Sequence, residues 1–161
     1  MKPMRIKPTL AALLLAVAAL GQTAAIVPYG TSVTPDAAKK AAAAAIAEAH
    51  KNNWAMAVAV VDTGGYLVYF ERMPETQLGS VEIAIEKAKS AALFKRPTKS
   101  FQDTLAAGGA GLRMLSLTGA VPVEGGIPLM AGGKVIGAIG ASGGSSDQDG
   151  ATAKAGADTV K

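Results

Sequence analysis

Residues 54–72 read WAMAVAVVDTGGYLVYFER, and this stretch decides the fold. Two runs rich in valine and aromatic residues, about 54–61 and 66–72, flank Asp62-Thr63-Gly64-Gly65. Glycine accepts the positive φ that tight hairpin turns require, so the spacing predicts two antiparallel strands joined at 62–65. A second stretch repeats the pattern: IPLMA at 127–131, then Gly132-Gly133, then KVIGAIGAS at 134–142. The chain therefore holds two predicted hairpins.

Helical signals lie before, between and after them. TPDAAKKAAAAAIAEAHKNN at 34–53 opens with Thr34 as N-cap, Pro35 in the first turn and Asp36 beside it. Alanine, the best helix former, fills its centre, and Asn52-Asn53 end it. SVEIAIEKAKSAALF at 80–94 predicts a helix capped by Ser80, with an apolar stripe of Val81, Ile83/Ala84, Ala88 and Ala91/Ala92. Pro97 stops it, because the residue before a proline avoids the helical region. A short helix runs from Ser100 to about Ala107 and GGAG at 108–111 ends it; 108–119 has no single reading. Ser145 and Gln148 have capping-box spacing, which opens a last helix reaching about Val160. Hairpin strands separated by helices argue for an α+β fold with an antiparallel sheet.

The first 25 residues, MKPMRIKPTLAALLLAVAALGQTAA, read as a signal peptide followed by a short arm at 26–33 and one domain at 34–161. Lys2, Arg5 and Lys7 precede an apolar run, Leu10 to Leu20, that is shorter than the roughly 20 residues of a membrane span. Cleavage after Ala25 and a periplasmic or secreted location are the expectation, with no stable membrane span. The leader holds three of the 16 basic residues and none of the 12 acidic ones, so the remainder is near neutrality. No basic run with interleaved aromatics remains, which argues against nucleic acid as a partner. There is no cysteine, which excludes thiolate catalysis, iron–sulfur clusters and disulfide staples. A single histidine, His50, excludes any intrachain site that needs two imidazoles. No G-x-S-x-G elbow occurs, so a nucleophilic hydrolase lacks support.

The order of these motifs resembles one family. VAVVDTGGYLVYFERM, the helix with IAIEKAKSAA and the tail FKRPT, and then VEGGIPLMAGGKVIGAIGASGGSSDQD before an alanine-rich helix are similar to the GlcG/HbpS-like, heme-degrading-domain family. The similarity covers about residues 34–161. It implies a compact α+β fold of profilin-like type and homo-oligomers, dimers and octamers. It also implies heme as the ligand, with heme degradation or iron binding in some members. Related domains attached to corrinoid adenosyltransferases, or encoded beside glycolate oxidation genes, leave a second reading open: a non-catalytic module for an organic acid or a corrinoid-type ligand.

Candidate site residues follow. His50 is the one strong nitrogen ligand for heme iron, and imidazole suits iron. At a helix C-terminus it is equally a capping residue favoured by the dipole. Tyr66, Tyr69, Met56, Met73, Met114 and Met130 are the other axial candidates, although methionines more often fill gaps in cores. Tyr66 and Tyr69, three apart, point to opposite faces of a strand. Lys87 and Arg96-Pro97-Thr98 match positions that recur in the family. Cations there could receive a heme propionate or a small organic acid; helix-end stabilisation is the alternative for Arg96. Gly125 and Gly126, in EGGIP, let a flat ligand approach the main chain or simply allow a tight turn into a strand. Glu82 and Glu86, four apart on one helix face, could bind iron through oxygen or make solvated pairs with nearby lysines such as Lys89. GAIGASGGSSDQDG at 137–150 matches neither a dinucleotide nor a Walker fingerprint. It reads as a corner between strand and helix, with a ligand-contacting turn as the alternative; Asp147 and Asp149 would repel a phosphate there.

Overall fold

The computed structural model describes residues 26–160; the leader lies outside the described residues. Helix α1 runs Pro35–Lys51, and Thr34 accepts the amide of Ala37, as the sequence predicts. Strands β1 (Ala57–Val61) and β2 (Leu67–Arg72) pair antiparallel. Helix α2 spans Ser80–Phe94 and α3 spans Lys99–Ala106. A 3₁₀ segment, Gly109–Ser116, occupies the stretch that the sequence left unread. Strands β3 (Gly126–Ala131) and β4 (Lys134–Ser142) form the second hairpin, and helix α4 covers Ser146–Ala157. Gly132 and Gly133, at φ +54° and +73°, supply its turn. Ser145 and Gln148 complete the expected capping box of α4. Among the described residues, no helix is long and apolar enough to cross a membrane.

The sheet is antiparallel with strand order β2-β1-β4-β3. β1 lies in its interior and is buried along its whole length. Its alternating side chains feed two clusters. Val58 and Val60 join Ile139 and the buried face of α1, with Ala153 of α4. Ala57, Ala59 and Val61 join Ala138 and the alanines of α2. The result is three layers, with α1 and α4 on one face of the sheet and α2 on the other. The α2 layer sits very close. A methyl added to Gly140 of β4 would run into the carbonyl of Ala84 and lie 2.6 Å from the amide of Ala88. The N-terminal arm also joins the sheet: Gly30 donates to the carbonyl of Val135, and Val33 to that of Ile136.

Four local readings change. β1 begins at Ala57, so Trp54–Met56 precede the strand. Ser80 does not cap α2; Gly79 holds the cap position without a side-chain bond. The Ser80 hydroxyl is buried, accepting from Gln77 and from Ser142. Ile83 is 44% exposed, because the buried face runs through Ala84, Lys87, Ala88 and Ala91. Tyr66 belongs to the turn, before β2 starts, so its separation of three from Tyr69 is not a strand separation.

Candidate functional site

Lys87, Thr98, Gly125 and Gly126 come together at the start of β3. Lys87 lies on the buried stripe of α2, 1% exposed. Its Nζ donates to Asp149 Oδ2 at 2.6 Å and to the carbonyl of Ala141 at 3.3 Å. Asp149, in the first turn of α4, is 3% exposed and also accepts the amide of Gly144 at 3.0 Å. The pair thus joins helices from opposite faces of the sheet. Burial pushes the Asp149 carboxyl above its ordinary value, opposed by the Lys87 ammonium and the amides of Gly144 and Gly143. Lys87 is therefore not a surface cation: its charge is committed to Asp149. Asp149, in turn, is not a solvated first-turn carboxylate, and the glycine-rich corner is tied internally.

The two glycines are fixed by what lies beneath them. Gly125 has φ +127°, and a methyl on it would lie 3.0 Å from Lys87 Nζ and 2.6 Å from the carbonyl of Ala141. A methyl on Gly126 would strike the Lys87 carbonyl and stand 2.7 Å from Thr98 Cγ2. Thr98 is fully buried and holds Gly126 from both sides: its amide donates to the Gly126 carbonyl, and its hydroxyl accepts the Gly126 amide, each at 2.9 Å. That commitment explains why Thr98 makes no side-chain cap for α3. Above this knot lies a hollow of about 370 Å³ with Gly125, Gly126 and Gly150 on its wall. Pro97, Ile127 and Ala151 add apolar surface, while Lys99, Glu124 and Lys154 add charge.

His50 sits elsewhere. It is exposed at the end of α1, at the lip of a hollow of about 330 Å³ lined by Asn53, Trp54, Ala55, Met73, Pro74 and Glu75. Among the described residues no protein hydrogen bond engages its ring. The backbone is sharply turned on both sides, with Asn53 at φ +56° and Glu75 at φ +64°. This hollow and the glycine-walled one share no residue. His50 is therefore separated from Lys87, Thr98, Gly125 and Gly126, with which the expected heme site grouped it.

The remaining candidates scatter. Arg96 lines a third hollow with Ile26, Val27 and Phe94; its guanidinium lies 5.5 Å from the Phe101 ring and donates to the Phe94 carbonyl. Glu82 and Glu86 lie on the outer side of α2, and Glu86 stands 3.7 Å from Lys89, the solvated pairing. No cluster of three or more His, Asp or Glu side chains suited to a metal occurs among the described residues. Tyr66 is 76% exposed. Tyr69 is half-buried and donates to Glu71 at 3.0 Å, which raises its phenol above the ordinary value. Met56 is a core residue, Met73 lines the His50 hollow, Met114 is half-buried in the 3₁₀ segment, and Met130 is at the surface.

Trp54, Lys99, Glu124 and Lys154 were not singled out by sequence. Trp54 opens the run that the sequence reads as a strand, and no motif marks the three charges. One signal was available for the knot: Lys87 falls on the helical spacing of Ala84, Ala88 and Ala91, where a charge must find a buried partner.

Comparison with known proteins places this geometry. The family model "Haem degrading protein HbpS-like" matches residues 33–158. Protein GlcG of Escherichia coli K12 is 38% identical over 95 residues, covering 59% of this chain and 69% of GlcG. The crystal structure of a Streptomyces reticuli HbpS double mutant superposes with a TM-score of 0.75 at 32% identity, covering 84% of this chain and 91% of that one. A crystal structure of a PduOC–heme complex gives a TM-score of 0.73 at 28% identity, covering 81% and 96%.

Proposed function

We propose that this chain, which belongs to the HbpS-like family, is an exported heme-binding protein whose iron ligand is His50. Family members include HbpS and a PduOC domain solved with heme, and this supports heme as the ligand class. The observation that carries the assignment is the setting of the single histidine. Its imidazole is exposed and unengaged by protein, beside Trp54, Met73 and Pro74. Those residues offer one nitrogen donor and apolar faces for a porphyrin. The glycine-walled hollow, in contrast, is lined by no histidine, tyrosine or methionine.

A hollow of about 330 Å³ covers only part of a heme. The rest of the macrocycle needs a second surface, and a second copy of the chain supplies one, with its own His50 available to the iron. Glu75 places a carboxylate at this lip, so the acidic edge of the ligand is directed away from it. Bound heme would supply the redox chemistry of its iron, and the protein would supply the imidazole and exclude water from one face. Capture, sequestration or sensing outside the cytoplasm is the role that follows, with removal of residues 1–25 on export.

The test is a hemin titration of the purified protein, followed by absorbance and by size in solution. Binding at this site gives a saturable Soret shift on a defined oligomer, lost in His50→Ala. A non-saturating response removes heme, and an unchanged shift in His50→Ala removes this hollow. Adding a reductant separates storage from breakdown: a persistent Soret band means binding alone, whereas its loss with release of iron means heme degradation. N-terminal sequencing of the exported protein locates the cleavage point.

A further inference from the structure

The glycine-walled hollow has a charge arrangement that the heme reading does not use. Glu124 is held in place from two directions: its amide donates to Gln102 Oε1 at 2.8 Å, and its side chain lies against Gly150, where a methyl would collide with it. Its Oε2 is buried and has no hydrogen-bond partner. The nearest cation, Lys99 Nζ, stops at 3.7 Å, beyond hydrogen-bond reach. A carboxylate held without a donor is costly, and 17% of the Glu124 side chain stays open on the wall of the hollow, so the carboxylate is positioned to receive one. Two lysines line the same hollow. Lys99 and Lys154 are engaged outward, with Asp103 at 2.9 Å and Asp158 at 2.6 Å. Both pairs are exposed and four residues apart on a helix, the kind that contributes a few tenths of a kcal/mol and re-forms readily.

We propose that this hollow binds a small carboxylate that also carries an amino or hydroxyl donor. The argument is one of complementarity. An inorganic anion or a plain monocarboxylate answers the lysines but leaves the Glu124 carboxylate without a donor and adds repulsion. A simple cation answers Glu124 and meets two lysines. An amino acid or a hydroxy acid answers both, its donor on the open part of the Glu124 carboxylate and its own carboxylate on Lys99 and Lys154. The volume, about 370 Å³, stands near the lower end of ligand pockets and suits a molecule of a few carbons. Pro97, Ile127 and Ala151 would flank its apolar part.

The experiment follows the backbone amide resonances of Gly125, Gly126 and Gly150 during titration with lactate, alanine and propionate, each to about 50 mM. Saturable movement with lactate or alanine is expected, with propionate at least about tenfold weaker because it lacks the donor. Lactate alone would mark a hydroxy acid, and alanine alone an amino acid. Glu124→Gln should bring the preferred ligand down toward propionate, and Lys154→Met should weaken all three. Propionate binding as well as the others overturns the role of Glu124. No movement of these amides with either lactate or alanine overturns the site. His50→Ala, which tests heme binding, leaves these shifts unchanged, so the two readings stand or fall separately.

Discussion

Replacing Lys87 with methionine isolates the energy of the buried ion pair. Methionine keeps an unbranched side chain of similar length, so the change removes charge while creating little cavity. Asp149 would lose its 2.6 Å partner and retain the Gly144 amide at 3.0 Å. Removing one member of a buried pair costs about 3–5 kcal/mol, because the other charge stays behind uncompensated. For a domain with roughly 5–15 kcal/mol in total, that is a large fraction, and it lowers Tm by about 10–15 °C. Urea unfolding followed by circular dichroism measures it, with Lys87→Met/Asp149→Asn as control. The double variant removes both charges and should recover at least half of the loss. Acid should help the single variant. Burial already raises the folded Asp149 pKa, and removing Lys87 raises it further. A carboxyl whose folded pKa lies above its unfolded value destabilises fully above the folded pKa, and the penalty fades as pH falls through it. The deficit of Lys87→Met relative to wild type therefore shrinks as pH falls from neutrality toward the ordinary carboxylate range. A loss below about 1 kcal/mol, or a double variant no better than the single, would refute the view of this pair as a committed charge.

Other outcomes follow from the same geometry. Gly126→Ala should destabilise by at least about 2 kcal/mol, since its methyl has no room between Lys87 and Thr98; denaturant midpoints will show it. Ser145→Ala removes one half of the capping box of α4 and should cost about 1 kcal/mol, measurable the same way. In a spectrophotometric titration the Tyr69 phenol should ionise above its ordinary range, and Glu71→Gln should bring it back, because the hydrogen bond to Glu71 leads the shift.

Much of this fold was legible because its signals are local. Thr34 and Ser145 cap the helices they precede, and Gly132-Gly133 turn the hairpin they separate. Each depends on neighbours within four residues. Ser80 failed for the opposite reason: its hydroxyl is buried against Ser142, 62 residues away, as well as against Gln77, and so does not serve the helix end. The Lys87–Asp149 pair spans the same separation. Sequence brought Lys87, Thr98, Gly125 and Gly126 forward only through resemblance to a family, and what unites them is a three-way meeting of α2, α3 and β3 that no periodicity encodes. The His50 hollow was legible as a residue and not as a place. Its lip is made by a helix end and by the loop after β2, and their proximity comes from the pairing of β1 with β2, which sets Met73 beside Met56.

The close seat of α2 on β4 has a consequence for how this chain can vary over time. Where a glycine faces a helix carbonyl, as Gly140 faces Ala84, neither position can grow unless the backbone retreats. Single-step change is therefore blocked across that contact, and drift must proceed by paired substitutions or not at all. A saturation-mutagenesis map should show this as a band of intolerance to even one added methyl, running from Ala84 and Ala88 to Gly140, while exposed Ile83 beside it accepts most residues. On this reading, much of the alanine and glycine in the chain reflects a short distance between two layers more than any preference for helix.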